Sequence, residues 1–302
     1  MTILVMVMLV KNLKMANIIT RFESANFIYM IIALILVIPN IYIQYFKWRY
    51  LMRLVKPEIE NSEALQSLLA GFTFGFITPG RVGEFGRAFF IKNCHWMKVI
   101  GISFIDKFFS LAIVLFMGSI GILSLIGKQL HFFLLFPLLL FTIIVLTLLS
   151  YVLLHPELIR TLLYKINIQL PIRDKIKQLI SIFDNFEQEH AIRLILYSII
   201  FYFIYFTQFY LLVIAFESVA FLKVFQAISS TLLVKSLLPI SIGDLGIRES
   251  AAIFFLGKVS VHQDAAFNAS IMIFFLNILI PSIIGLVVVL KNKLINLYDQ
   301  NQ

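Results

Sequence analysis

The sequence predicts an all-α polytopic membrane protein, built as an inverted-topology repeat with two broken re-entrant helical hairpins. Three observations carry this expectation. Of 302 residues, 61% are hydrophobic and 14% charged, whereas an ordinary soluble domain has about 25% charged and 45–50% apolar residues. Five runs free of Asp, Glu, Lys and Arg reach the roughly 20 residues that a helix needs to cross the hydrocarbon core. Two shorter apolar stretches, each interrupted by Gly and Pro, carry the same motif 160 residues apart.

Residues 1–10 are apolar but too few to span: ten residues rise about 15 Å, half of the ~30 Å core. No basic residue precedes Lys11, which argues against a cleaved signal peptide. The expectation is therefore that the natural start lies upstream, or that this segment packs as a stub against a neighbour. The first full run is 24–46. Lys47, Arg49, Arg53 and Lys56 follow it and mark a cytoplasmic loop, because basic residues in short loops stay on that side. The broken stretch 64–80 comes next, then run 108–127 and the short Lys128 turn outside. Run 129–156 contains Pro137, which would kink it. Arg160, Lys165, Arg173, Lys175, Lys177 and Arg193 place 155–193 inside. Run 194–216 leads out, the balanced 217–223 connection lies outside, and the second broken stretch, 224–257, contains Lys235, Asp244, Arg248 and Glu249. Run 265–290 ends at Lys291 and Lys293, so the C-terminus is expected in the cytoplasm and the chain in the plasma (cell inner) membrane. Lys11, Lys14 and Arg21 fall on a segment that this scheme puts outside, against the rule. The chain reads as a single integral membrane domain, 1–302, with pseudo-repeats 1–127 and 128–302.

The composition excludes a cytosolic enzyme, a secreted disulfide scaffold and a disordered protein. Cys94 is the single cysteine and the five histidines lack metal-ligand spacing, so neither a disulfide nor a metal site is expected. HExxH, GxSxG, Walker A and CxxC patterns are absent, so no cofactor and no catalytic group is expected. The net charge of +9 fits basic cytoplasmic loops facing anionic lipid rather than nucleic acid.

The repeated motif is P-x-x-x-G-[E/D]-x-G. Pro79, Gly83, Glu84 and Gly86 correspond to Pro239, Gly243, Asp244 and Gly246. Proline removes a backbone donor and glycine permits unusual dihedrals, so the helix must stop there. Such backbone is tolerated at membrane depth only inside protein or along a wet cavity. One motif follows a span running inward and the other a span running outward, the pattern of inverted-repeat transporters with a site near the midplane. The two motifs are expected to meet, with new half-helices starting near Gly86 and Gly246 whose N-termini favour phosphate or carboxylate. Arg81, Glu84, Arg87, Asp244, Arg248 and Glu249 surround the turns. Charges in apolar surroundings cost about 2.5–3.5 kcal/mol each on insertion scales unless paired or hydrated. They are either ion pairs, Glu84–Arg87 and Asp244–Arg248, that lock the hairpins, or contacts to a substrate, for which arginine suits bidentate phosphate recognition. Asp106 and Lys107 read as a second candidate pair. Lys235 either neutralises an acid or faces the cavity.

These motifs resemble the lysylphosphatidylglycerol synthase transmembrane-region family, the flippase-like integral membrane proteins. The likeness rests on Lys47-Trp48-Arg49, on Thr78-Pro79-Gly80-Arg81-Val82-Gly83-Glu84, and on Leu238-Pro239 with Gly243-Asp244-Leu245-Gly246-Ile247-Arg248-Glu249. The last resembles the family's P-x-x-x-G-G-x-G-[VI]-R-E signature, with Asp244 in place of a second glycine, which loosens the demands on the turn. The family's aminoacyl-transferase activity belongs to a soluble domain that nothing in these 302 residues resembles, so the resemblance implies the membrane half alone.

The expectation is a flippase-like transporter for a membrane lipid or other amphiphile with an anionic or zwitterionic, phosphate-containing headgroup. Its partners would be membrane lipids, with a homo-oligomer or a lipid-synthesising enzyme left open. The alternatives are an embedded transferase that uses Glu84 and Asp244 as acid and base, and a non-transporting scaffold.

Overall fold

Helices make up the regular structure of the computed structural model, which describes residues 2–127, 131–169 and 181–299. The first half comprises α1 (Thr2–Leu13), α2 (Met15–Glu23), α3 (Phe27–Ile35), α4 (Val37–Arg53), α5 (Asn61–Ile77), a 3-10 helix (Val82–Phe90) and α6 (Trp96–Ile126). The second half comprises α7 (Phe132–Leu154), α8 (Pro156–Gln169), a 3-10 turn (Ser181–Asn185), α9 (Gln188–Phe216), α10 (Phe221–Leu237) and α11 (Ile247–Gly257). It ends with α12 (Gln263–Phe274), a π-helical turn (Phe275–Leu279) and α13 (Ile280–Asp299).

Among the described residues, five helical segments are long and apolar enough to cross a membrane: Phe27–Arg53, Trp96–Ile126, Phe133–Leu154, Gln188–Phe216 and Gln263–Asn292. They coincide with the five uncharged runs, but several extend past the first charge. Lys47, Arg49 and Arg53 belong to α4 rather than to a loop, and Asp106 and Lys107 lie well inside α6. A charged side chain ends a hydropathy run without ending a helix when a partner inside the protein holds it. The Lys128 turn and Arg173, Lys175 and Lys177 lie outside the described residues.

Prolines shape the spans unequally. Between α3 and α4 the helix breaks at Leu36, because Pro39 cannot donate to the Ile35 carbonyl and its ring crowds that turn. Pro137, where a kink was expected, lies inside α7, which continues across it as one helix; the bond it forgoes falls in the early turns. Pro281 follows the π-helical turn, a local widening that accommodates the carbonyl it leaves unbonded.

Helix α9 runs antiparallel to α3 and α4. Asn26 N–H donates to the Ala215 carbonyl at one end (2.8 Å), and Tyr50 bonds His190 at the other (2.5 Å). The base of the α5 segment is tied beside the Tyr50 end: Lys56 pairs with Glu63 (2.7 Å) and donates to the Lys92 carbonyl (2.8 Å). The base of the α10–α11 segment is tied beside the Asn26 end, where Glu217 pairs with Arg21 (3.1 Å) and accepts from His262 N–H (2.8 Å). The 29 residues of α9 separate these bases by roughly 43 Å. Between them α10 packs along α6, and α13 along α5. Among the described residues, helix α7 packs against α6, α8 and α9, and its apolar face is otherwise open.

Candidate functional site

The two motif turns fold differently. After α5, Thr78 Oγ1 donates to the Phe74 carbonyl (3.0 Å) and accepts from Gly83 N–H (2.6 Å). The chain reverses through Gly80 and Arg81, both at positive φ (58° and 56°). Gly83 lies so close to Phe74 that a Cβ would overlap the Phe74 carbonyl oxygen. The following segment is a 3-10 helix starting at Val82, not a helix starting near Gly86 as expected, because this hydroxyl-locked turn closes earlier. After α10 the chain turns through Gly243 (φ 60°), Asp244 (φ 61°) and Gly246 (φ 87°), and α11 starts at Ile247 as expected. Asp244 therefore meets the same left-handed demand as a glycine, which Asp tolerates better than most residues. The demand is not loosened.

The two turns meet. Pro79 and Ile242 form an isolated antiparallel bridge, and Gly80 N–H donates to the Ser241 carbonyl (3.3 Å). The N-terminal segment seats on the second turn: Thr2 Oγ1 accepts from Ile242 N–H (3.2 Å), and a Cβ on Gly246 would meet Val5 at 2.9 Å.

Beside this junction lies a cavity of about 610 Å³, lined from both turns and from α4, α6, α9, α10 and the π-helical turn. Four of its ion pairs cross elements, Arg81–Glu84 and Arg248–Glu249 are local, and neither Glu84–Arg87 nor Asp244–Arg248 forms. Glu84 contacts Arg81 Nε through Oε1 (2.5 Å) and accepts from Lys107 Nζ through Oε2 (2.7 Å). Arg87 donates to Asp106 (3.2 Å) and to Ser103 Oγ (2.9 Å), and its guanidinium stacks 3.6 Å from the Trp48 ring centroid. Asp106 also takes Lys47 (2.9 Å), so Asp106 and Lys107 are not partners of each other. Successive helical residues point about 100° apart, which sends them to different clusters. Lys235 both neutralises Asp244 (2.7 Å) and lines the cavity.

Arg248 and Glu249 form a closed pair at 2.6 Å, with side chains 1% and 0% exposed. Arg248 Nε also donates to Ser270 Oγ (3.3 Å), and Glu249 Oε2 accepts from Gly246 N–H (2.6 Å). The N-terminus of α11, expected to favour an external anion, is thus capped by the chain's own carboxylate.

Sequence reasoning passed over several lining residues. Lys47 was taken for a loop residue, yet it is buried and donates to Ser110 Oγ (2.7 Å). Asn40, Gln208 and Asn277 form an amide relay in which Gln208 Oε1 accepts from both Asn40 and Asn277 (3.1 Å each), with Gln44 bonded to Asn40. A lone polar residue in each of several apolar spans was the available signal.

The lysylphosphatidylglycerol synthase TM region is the family whose model matches the chain, over residues 1–285. The chain belongs to this family. Membership makes it a multi-pass membrane protein, consistent with its five apolar spans. Neither the curated proteins nor the solved structures include a significant match to the chain. The family places both motif turns and the whole cavity within the matched region.

Proposed function

We propose that this chain is a flippase-like transporter of the plasma membrane, and that it moves an amphiphile with a phosphate-containing headgroup between leaflets. The observation that carries the reading is the charged cavity at the junction of the two turns, within a bundle whose spans are otherwise apolar. A headgroup would occupy the cavity while its tails stay in lipid.

The reading includes an inverted repeat, 1–127 and 128–302, with two re-entrant hairpins near the midplane. Several correspondences support it. Helices α5 and α10 are each 17 residues long and offset by 160. Gly285 on α13 packs against Leu69 and Thr73 of α5; Gly118 on α6 packs against Ser229 and Leu233, the residues 160 further on. Ser103 and Ser270, which accept from Arg87 and Arg248, share the 167-residue offset of Gly118 and Gly285. The bases of the two broken segments are tied at opposite ends of α9.

An embedded transferase would need a carboxylate free to exchange a proton, and Glu84, Asp106 and Asp244 each hold a cation. Pairing of this kind suits binding and orientation. The test is the purified protein in liposomes with a fluorescent phospholipid on one leaflet. Movement across leaflets without covalent change is expected. A chemically altered headgroup, or no movement for any lipid in a panel, overturns the reading.

A further inference from the structure

The charge inventory of the cavity is unbalanced. Lys47, Arg81, Arg87, Lys107, Lys235 and Arg248 line it, against Glu84, Asp106 and Asp244; Glu249, behind Arg248, is the fourth acid. The second turn is neutral within itself, because Asp244 takes one cation and Glu249 takes one. In the first half Asp106 and Glu84 each serve two cations. Two positive charges therefore lack an acid of their own.

Their accessibility locates the imbalance. Around Asp106 the side chains of Lys47 and Arg87 are 6% and 4% exposed; around Glu84 those of Arg81 and Lys107 are 24% and 33% exposed. Among the described residues, no protein acceptor bonds the terminal guanidinium nitrogens of Arg81, and the buried Arg81 Nε lacks hydrogen-bond geometry to any acceptor. Lys107 Nζ donates to one acceptor, Glu84, and keeps two donors. Uncompensated charge in apolar surroundings is costly, and a planar guanidinium beside an ammonium suits phosphoryl oxygens. A water takes about 30 Å³, so a cavity of about 610 Å³ admits a phosphoryl group together with part of its hydration.

We propose that the cavity takes a phosphoryl group carrying two negative charges, a phosphomonoester or a diphosphate, held between Arg81 and Lys107. A zwitterionic head brings its own cation, which the two surplus cations repel, and a phosphodiester neutralises one of them. The proposal rests on the transporter reading for its lipid source alone; the charge count is independent of it.

The test is thermal unfolding of the protein in phosphatidylcholine nanodiscs at pH 8, where a phosphomonoester has lost its second proton. One arm adds phosphatidic acid, one adds phosphatidylglycerol, and a third adds inorganic pyrophosphate to the buffer. The unfolding midpoint is expected to rise most with phosphatidic acid. Half-saturation should weaken roughly tenfold or more in the Arg81→Gln, Lys107→Gln double variant, as for loss of charge-assisted hydrogen bonds. The wild-type arms decide even if that variant does not purify. Equal responses to phosphatidic acid and phosphatidylglycerol overturn the proposal. A response to pyrophosphate without one to phosphatidic acid keeps the phosphoryl class and removes the lipid. Phosphatidic acid binding without leaflet transfer sinks the transporter and leaves this inference standing; equally fast transfer of phosphatidylcholine does the reverse.

Discussion

Burial separates the charged residues into those that hold the fold and those that are open to a ligand. Arg248 lines the cavity wall, but its side chain and that of Glu249 are 1% and 0% exposed and are spent on each other, on Ser270 and on the Gly246 amide. Breaking a buried pair by removing one charge leaves the other uncompensated, at about 3–5 kcal/mol. Glu249→Gln is therefore expected to lower the thermal midpoint sharply and to reduce accumulation. Arg81→Gln, at a partly exposed residue, should accumulate normally and lose lipid movement. Fluorescence-detected size exclusion beside the liposome assay distinguishes them, and normal accumulation of Glu249→Gln would refute the structural role. The charged residues themselves were legible in the sequence, but the partners that cross elements were not. Glu84 pairs with Lys107, 23 positions away, and Asp106 with Lys47, 59 positions away, distances that no local spacing encodes.

At the scale of elements, small residues decide which helices touch. Without a hydrophobic drive between helices in lipid, close backbone packing does much of the work. A Cβ on Gly285 would overlap the Leu69 carbonyl oxygen, and backbone cannot step aside as a side-chain tip can. Gly285→Ala is expected to cost about 1–3 kcal/mol by overpacking. Gly257→Ala, where nothing lies within 4 Å, should be neutral or slightly stabilising, and serves as the control in thermal unfolding. Equal midpoints for the two variants would remove the α5–α13 contact from the account. The turns were legible as turns because Pro and Gly restrict backbone directly. Their detail was not: Thr78 closes the first turn early through its hydroxyl, and the Arg81 positive φ follows from that closure.

The whole molecule sets the bases of the two broken segments at opposite ends of α9, so membrane topology is the property to test at this scale. In a Cys94→Ser background, Glu60→Cys beside the first base should react with an impermeant maleimide only from the cytoplasmic side. Gln263→Cys beside the second base should react only from outside. Both residues are exposed, so labelling reads sidedness rather than burial. Reaction of both from one side would overturn the inverted repeat.

The sequence by itself determined the solvent, the number of apolar spans and the two places where backbone must break, because these follow from local composition and from the dihedral limits of Pro and Gly. It also determined that six charges surround those breaks. Tertiary structure alone decided which charges neutralise one another, which are sealed and which stay open. It did so because ion pairing across α4, the first 3-10 helix, α6 and α10 depends on helix packing, and packing in lipid is fixed by close contacts such as Gly118–Ser229 and Gly285–Leu69. Those contacts join residues more than a hundred positions apart, and their geometry exists only once the chain has folded.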